Sequence, residues 1–471
     1  MFGFGVFLPS NWFFSWGESG AMVGGFLLDY ALYRVWFTDF ILLSLSLLYL
    51  SWLFRFWLFR SFEIATNDQS HSSIMSRFLL FFQCFRSPLT FLLIPLVLLT
   101  VSFAFSTPTS QAGVVAGLAI LKWALFFPTL IWGLRTRQAK TALVSGILVS
   151  LGSQLVLGLA QMTLNRPLFG FWFFGEVDPN SIVLLAKTSY FGRVQLLPYG
   201  TLPHPNVFAG FALGVALLSS WHLKSKSLQA LVMLLVGVVV VLTQSGASLL
   251  GFVILCFAQV YSHIPQIFTG SDRLQTSVRQ GLGFLSTIFH APRLQTMKYH
   301  ALNFQSSVVR VVGAVWVVAL AFAVVPLSLQ AVQLAFPNTT DASWTRRVQL
   351  QQAAVRIFLE RPLTGIGIGQ FAPQLERFVT IPATTRFLQP VHHVGLLVIA
   401  ELGLIGVMSI ALTGYFVHRM YSASLPRMTL LCLVFFPIFS LDHYLVTIQQ
   451  GQILLGLMLA WGLRAREASE Q

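Results

Sequence analysis

The sequence predicts an all-α polytopic membrane protein. Two observations predict it. Of 471 residues, 56% are hydrophobic and only 9% are charged, whereas soluble globular domains carry about 25% charged residues. Apolar stretches near the ~20 residues that one helical crossing needs recur along the chain. Spanning β-barrels alternate at period two, and these stretches do not.

About eleven transmembrane helices are expected, at 37–59, 88–106, 111–134, 141–162, 205–223, 228–243, 247–263, 307–334, 394–417, 428–445 and 446–463. The last two are joined so tightly that they also read as a re-entrant pair. The first 36 residues are apolar and aromatic but broken by Glu18, Asp29 and Arg34. They are expected to lie in the interface or to form another crossing. No cleavable signal peptide is evident, so 37–59 is the expected insertion signal. Residues 1–471 read as a single membrane domain without internal repeat.

The net charge of +14 would suggest nucleic acid in a soluble protein. Here the basic residues fall mainly between apolar stretches, as the positive-inside bias requires, so no nucleic-acid partner is expected. Arg135, Arg137 and Lys140 group together, as do Lys224 and Lys226, Arg419 and Arg427, and Arg464 and Arg466. The span count puts all four groups on one side, the cytoplasmic one, together with the basic 264–306 segment. Two segments then face outward: a first outer loop, 163–204, and a second, 335–393. Cys84, Cys256 and Cys432 each lie in an apolar stretch and read as small core hydrophobes.

The 335–393 loop runs against the charge bias. It carries Arg346, Arg347, Arg356, Arg361, Arg377 and Arg386 and no Lys. One reading is a solvated face, since long loops are partly exempt from the bias. The other is an anion site, because the planar guanidinium matches phosphate oxygens as an ammonium does not. Trp344 to Arg361 reads as an amphipathic helix with apolar positions at Val348, Leu350, Ala354, Ile357 and Phe358. Ser343 or Asp341 is its candidate cap and Pro362 its stop. The glycines of Gly365-Ile366-Gly367-Ile368-Gly369 lack the strand-before, helix-after context of a dinucleotide site. They read as permitting a tight backbone path.

The loop closes on His392-His393, just before a span that contains Glu401. An imidazole titrates near neutrality and can take a proton from an attacking hydroxyl. An acid inside a span normally faces the bundle interior, and the helical offset makes direct pairing of Glu401 with His392 unexpected. Elsewhere, His204-Pro205-Asn206 opens a span, with Pro205 at the first turn as the plainer reading. Glu176 and Asp178 are a weak metal pair lacking a His or a third acid. Arg166 and Arg193 could add to an anion site or be solvated.

From Arg347 to Gly406 the residues resemble the signature region of the O-antigen ligase and O-antigen polymerase superfamily. The pattern is Arg347 on a helix, then Arg361-Pro362-Leu363-Thr364-Gly365-Ile366-Gly367, then His392, then Glu401-Leu402-Gly403-Leu404-Ile405-Gly406. Leu202-Pro203-His204-Pro205-Asn206-Val207-Phe208-Ala209-Gly210 and Thr243-Gln244-Ser245-Gly246 resemble two further features. The family usually has Asn where His393 stands and often Arg where Gly246 stands.

The resemblance implies an all-α bundle of the C-type glycosyltransferase kind. It implies inverting transfer of a glycan from a polyprenyl-diphosphate donor to an acceptor hydroxyl outside the cytoplasmic membrane. Arg347 and His392 would be catalytic. Arg346, Arg361, Arg193, His204, Asn206 and Glu401 would bind substrate, and a lateral cleft would admit the lipid tail. No metal and no cofactor are expected. The acceptor could be a lipid A core sugar, another lipid-linked glycan or a protein hydroxyl. These correspond to a ligase, a polysaccharide polymerase and a protein O-oligosaccharyltransferase. From another class, a secondary transporter or lipid flippase would show paired charges or broken helices near mid-membrane in two related halves.

Overall fold

The computed structural model describes residues 1–23, 26–27, 32–67, 111–170, 172, 174–177, 185–190, 193–268, 342–380, 387–421 and 425–463. The expected spans 88–106 and 307–334 lie outside them, as do Asp178, Asp341, Arg386, Arg464 and Arg466. So does nearly all of the basic 264–306 segment. The chain divides into two compact units, Met1–Phe252 with Gln349–Gln471, and Val253–Val348.

The described residues are mostly helical. Helices occupy Phe37–Asn67, Gln111–Gly133, Arg137–Leu164, Pro205–His222, Lys226–Thr243, Gly246–Phe268, Val394–Tyr421, Leu425–Leu441 and Gln449–Leu463. Within the described residues, Phe37–Arg55, Gln111–Gly133, Arg137–Leu164 and Val394–Gly414 are long and apolar enough to cross a bilayer. Lys226–Leu242, Gly246–Val260 and Pro426–Leu441 are shorter apolar helices. The protein is thus a helical, multi-pass membrane protein. Large apolar side chains on these helices stay exposed, Leu48 at 60% and Met408 at 70% among them, as lipid-facing positions should.

Local sequence explains where the helices start. Thr136 accepts a hydrogen bond from the Ala139 amide and Ser225 one from the Leu228 amide, each satisfying a donor that the first turn leaves over. The helix Pro205–His222 is buried at every residue from Val207 to Ser219 and forms the centre of the first unit.

The mostly helical fold agrees with the all-α expectation, and three short antiparallel pairs accompany the helices: Phe13–Trp16 with Tyr33–Trp36, Met22–Val23 with Phe26–Leu27, and Lys187–Tyr190 with Arg193–Leu196. The first 36 residues thus hold a short helix, Phe2–Phe7, and hairpins rather than another crossing. The C-terminal pair breaks at Asp442-His443, ahead of a short helix Tyr444–Thr447, rather than at 445–446. That break takes Asp442 and His443 out of the span in which sequence alone would bury them.

The helix Ala342–Glu360 forms as expected and ends before Pro362. Ser343 falls within the helix rather than ahead of it. In the first unit its apolar face (Leu350, Ala353, Ala354 and Ile357) packs into a cluster with Ile366, Phe371, Leu375, Val391, Leu396 and Ala400. Burial at the i, i+3, i+4, i+7 spacing is what holds this helix against the span.

Candidate functional site

His392 sits just ahead of the helix Val394–Tyr421, and Asp442 and His443 sit between two C-terminal helices. Folding brings the three together. His392 Nδ1 stands 3.7 Å from Asp442 Oδ1. The two imidazoles lie 4.9 Å apart, tilted by 51°. Asp442 is 8% exposed and well supported: Asn206 Nδ2 donates to Oδ2 at 3.2 Å and the His443 amide to Oδ1 at 2.8 Å. Burial pushes the Asp442 carboxyl up, but His392 and His443 beside it outweigh burial and hold it well below the usual carboxylate range.

Asn206, expected to touch substrate, therefore spends its amide on Asp442. Its neighbour His204 is a cap: His204 Nδ1 accepts from the Asn206 amide at 3.1 Å, with Pro205 at the first turn. His393 does the same at the next helix, Nδ1 accepting from the Leu396 amide at 3.1 Å. Burial lowers the His393 imidazole to about 4, which keeps that nitrogen unprotonated and able to accept. Asn is among the preferred residues for such a cap, so His393 and the family's usual Asn do one job. At Gly246 a Cβ would meet nothing within 4 Å.

The Glu401 carboxylate accepts from the Phe371 amide at 3.0 Å, at the start of the helix Phe371–Phe378. Around it two of the signature stretches interlock. The amides of Ile366 and Gly367 donate to the carbonyls of Ala400 and Glu401, and those of Leu404 and Ile405 to the carbonyls of Pro362 and Leu363. Gly403 breaks the helix with φ +61°, and Gly365 takes φ +64°. A Cβ on Gly365 would strike the Glu401 backbone, and one on Gly403 the Leu363 carbonyl. Glycine is required at both positions by conformation and by space.

The arginines divide. Arg356 donates to the Phe378 carbonyl at 2.8 Å, and Arg377 pairs with Glu360 at 3.3 Å on an exposed face. Both hold the loop together. Arg361 is exposed at the C-terminal end of the helix Ala342–Glu360. Arg346 and Arg347 lie on that helix's N-terminal turns, in the second unit; Arg346 is exposed and Arg347 half-buried. Arg193 opens the strand Arg193–Leu196. Glu176 is fully buried and accepts from Gln161 Nε2 and the amides of Leu168 and Phe169, so it anchors the first loop.

A cleft of about 460 Å³ opens in the first unit. Phe40, Leu43 and Leu118 form apolar walls, with Trp16, Tyr33 and Arg34 at the hairpin. Its polar floor is Lys122, paired with Asp39 at 3.2 Å, and Gln449. Thr447 also lines it, and Thr447 Oγ1 lies 2.7 Å from His443 Nδ1. One side chain thus connects the cleft with the His392 cluster.

Residues 230–411 match the model of the family described as O-antigen ligase. That match supports the O-antigen ligase superfamily for this segment, which is less than half of the chain. A search of curated proteins returned no match. The superfamily segment contains the Thr243–Gly246 turn, Arg347, the interlocked glycine stretches and His392; Asn206, Asp442 and His443 lie outside it. Sequence reasoning missed Asp442 and His443. The available signal was an acid and a histidine side by side between two apolar stretches, where a carboxylate demands partners.

Proposed function

We propose that this chain is an O-antigen ligase-type glycosyltransferase that moves a glycan from a polyprenyl diphosphate to an acceptor hydroxyl outside the cytoplasmic membrane. The observation that carries the reading is the placement of His392 beside a buried, buttressed Asp442 at the mouth of a span. Asp442 faces His392 Nδ1 and so favours the tautomer with its lone pair on Nε2. Nε2 then takes the proton as the acceptor oxygen attacks the anomeric carbon. The bond from that carbon to the diphosphate oxygen breaks with inversion, and the electron pair leaves with the diphosphate. Substrate-free catalytic contacts are often long and tighten in the complex, so 3.7 Å suits a resting dyad.

Arg347, with Arg346, Arg361 and Arg193 as further cations, would hold the diphosphate and stabilise its developing charge. What supports Arg347 is its place in the matched segment. The cleft has apolar walls and a polar floor made by the Lys122–Asp39 pair and Gln449, and its walls suit a lipid tail. The acceptor would be a glycan, a lipid-linked sugar or a protein hydroxyl. No metal or cofactor enters these steps, so transfer should survive chelators.

Two observations favour the transporter reading: the Lys122–Asp39 pair and the helix broken at Gly403. Both have local explanations. Asp39 sits in its helix's first turn and accepts from the Trp36 amide, and the break is locked by the interlocking loop. The test is reconstituted transfer of a glycan from a polyprenyl diphosphate to candidate acceptors. Product from wild type and none from His392→Ala supports the reading. No product with any acceptor overturns it.

A further inference from the structure

We propose that His392, Asp442 and His443 form a binding site for a zinc-class divalent cation, and that its occupancy blocks transfer. The second half rests on the role proposed above for His392; the first rests on geometry alone.

One ligand atom from each of the three residues falls within 4.8 Å of the other two. One pair among these, His392 Nδ1 and Asp442 Oδ1, is 3.7 Å apart. That is too long for a hydrogen bond, and His392 Nδ1 is buried without a hydrogen-bond partner. It is close to a metal-bridged separation: two ligands each about 2.0–2.1 Å from a tetrahedral zinc lie roughly 3.3 Å apart. A contraction of a few tenths of an ångström, well within side-chain freedom, would bring the two atoms into register around an ion.

The neighbours prepare each ligand. Thr447 Oγ1 donates its hydrogen to the His443 carbonyl. With the hydroxyl hydrogen on that carbonyl, the 2.7 Å contact with His443 Nδ1 uses a proton on the imidazole. In that tautomer the lone pair of His443 is on Nε2. Such an outer hydrogen bond commonly orients a metal-ligating imidazole. Asp442 is held from behind by Asn206 and the His443 amide, as ligating carboxylates usually are. Its charge faces two imidazoles, and a dication would neutralise it. Two nitrogens and one carboxylate suit zinc-class ions; calcium and magnesium take oxygen sets.

Occupancy would have a defined chemical effect. With the ion on His392 Nδ1, the ring proton must reside on Nε2. The nitrogen that would accept the acceptor hydroxyl's proton is then already protonated. The cation would act as an inhibitor, and removing it would restore transfer.

The experiment uses the full chain, purified in detergent without a polyhistidine tag. Co²⁺ is titrated by visible absorption and Zn²⁺ by calorimetry, without substrate. Wild type should bind one ion, with cobalt bands showing nitrogen ligation and a melting temperature raised by Zn²⁺. Losing even an outer partner of a bound metal costs about 10–100-fold in affinity, so His443→Gln, Asp442→Asn and His392→Ala should each weaken binding by at least about tenfold. No binding by wild type, or unchanged affinity in all three variants, overturns the site. Zn²⁺ added to the transfer assay should inhibit, and EDTA should reverse it; full activity at saturating Zn²⁺ overturns the block. Because binding is read without substrate, absence of any transfer would sink the functional reading and leave the metal result to stand by itself.

Discussion

His392 Nδ1 faces Asp442 Oδ1 at 3.7 Å, across from an Asn206 amide that holds the acid's other oxygen. A histidine before one helix and an acid after another, far apart in sequence, share one buried corner. If that corner performs proton transfer, His392→Ala should lower the rate by about 10²- to 10⁴-fold. Asp442→Asn keeps the shape and removes the charge. It should lower kcat with little change in KM for the acceptor, and a larger effect on KM than on kcat would deny Asp442 its orienting role. Both variants are to be compared with wild type as folded, monodisperse protein.

His393 supplies a pH prediction. Its imidazole titrates near 6.5 when unfolded and about 4 when folded, because burial disfavours the charged form. Between those values the unfolded state holds more protons. Stability should therefore fall as pH drops from 6.5 toward 4, by at most ~1.4 kcal/mol per unit, and be level above that window as far as this group is concerned. His393→Asn should flatten the slope while keeping the cap, and His393→Ala should lose ~1 kcal/mol. Chemical denaturation across pH measures both; an unchanged slope in His393→Asn would sever the link.

Much of this was legible in the sequence, and the failures have physical causes. Among the described residues several helices fall where apolar length put them, and burial of Leu350, Ala354 and Ile357 followed from helical spacing. The glycine stretch read as a tight path proved to be one, because positive φ at Gly365 leaves few other residues. Partners were not legible. His204 and Asn206 were both expected to bind substrate; in the fold His204 Nδ1 caps its helix and Asn206 Nδ2 donates to Asp442. Arg356 looked like a candidate anion ligand and is spent on the Phe378 carbonyl. Such choices depend on contacts between distant segments, which no local pattern encodes. Asp442 escaped notice because a span boundary was drawn a few residues late.

The interlock around Glu401 predicts stability effects rather than catalytic ones. Gly365→Ala puts a Cβ against the Glu401 backbone at a positive φ and should destabilise by about 1–3 kcal/mol. Glu401→Gln keeps an acceptor for the Phe371 amide and should be the milder change. Thermal melts in detergent give the order. If Glu401→Gln instead abolishes transfer at unchanged melting temperature, Glu401 belongs to the substrate site after all.

Arg347 supplies the last prediction, and it separates phosphate recognition from simple charge. The side chain is half-buried on the first turns of the helix Ala342–Glu360, while Arg356 and Arg377 on the same loop already serve carbonyl and carboxylate partners within it. A guanidinium bound to phosphate uses two parallel donors in a plane; an ammonium offers the charge without the fork. Arg347→Lys should therefore lose most of the transfer rate while keeping the melting temperature. Arg377→Lys, at an exposed position paired with Glu360, should lose little. Were the arginines only a solvated face, both changes would be silent. Were field strength alone at work, both would fall together with rising salt, because exposed charges are screened over about 10 Å at 0.1 M. A selective, salt-insensitive loss at Arg347 is the outcome that assigns it to the diphosphate.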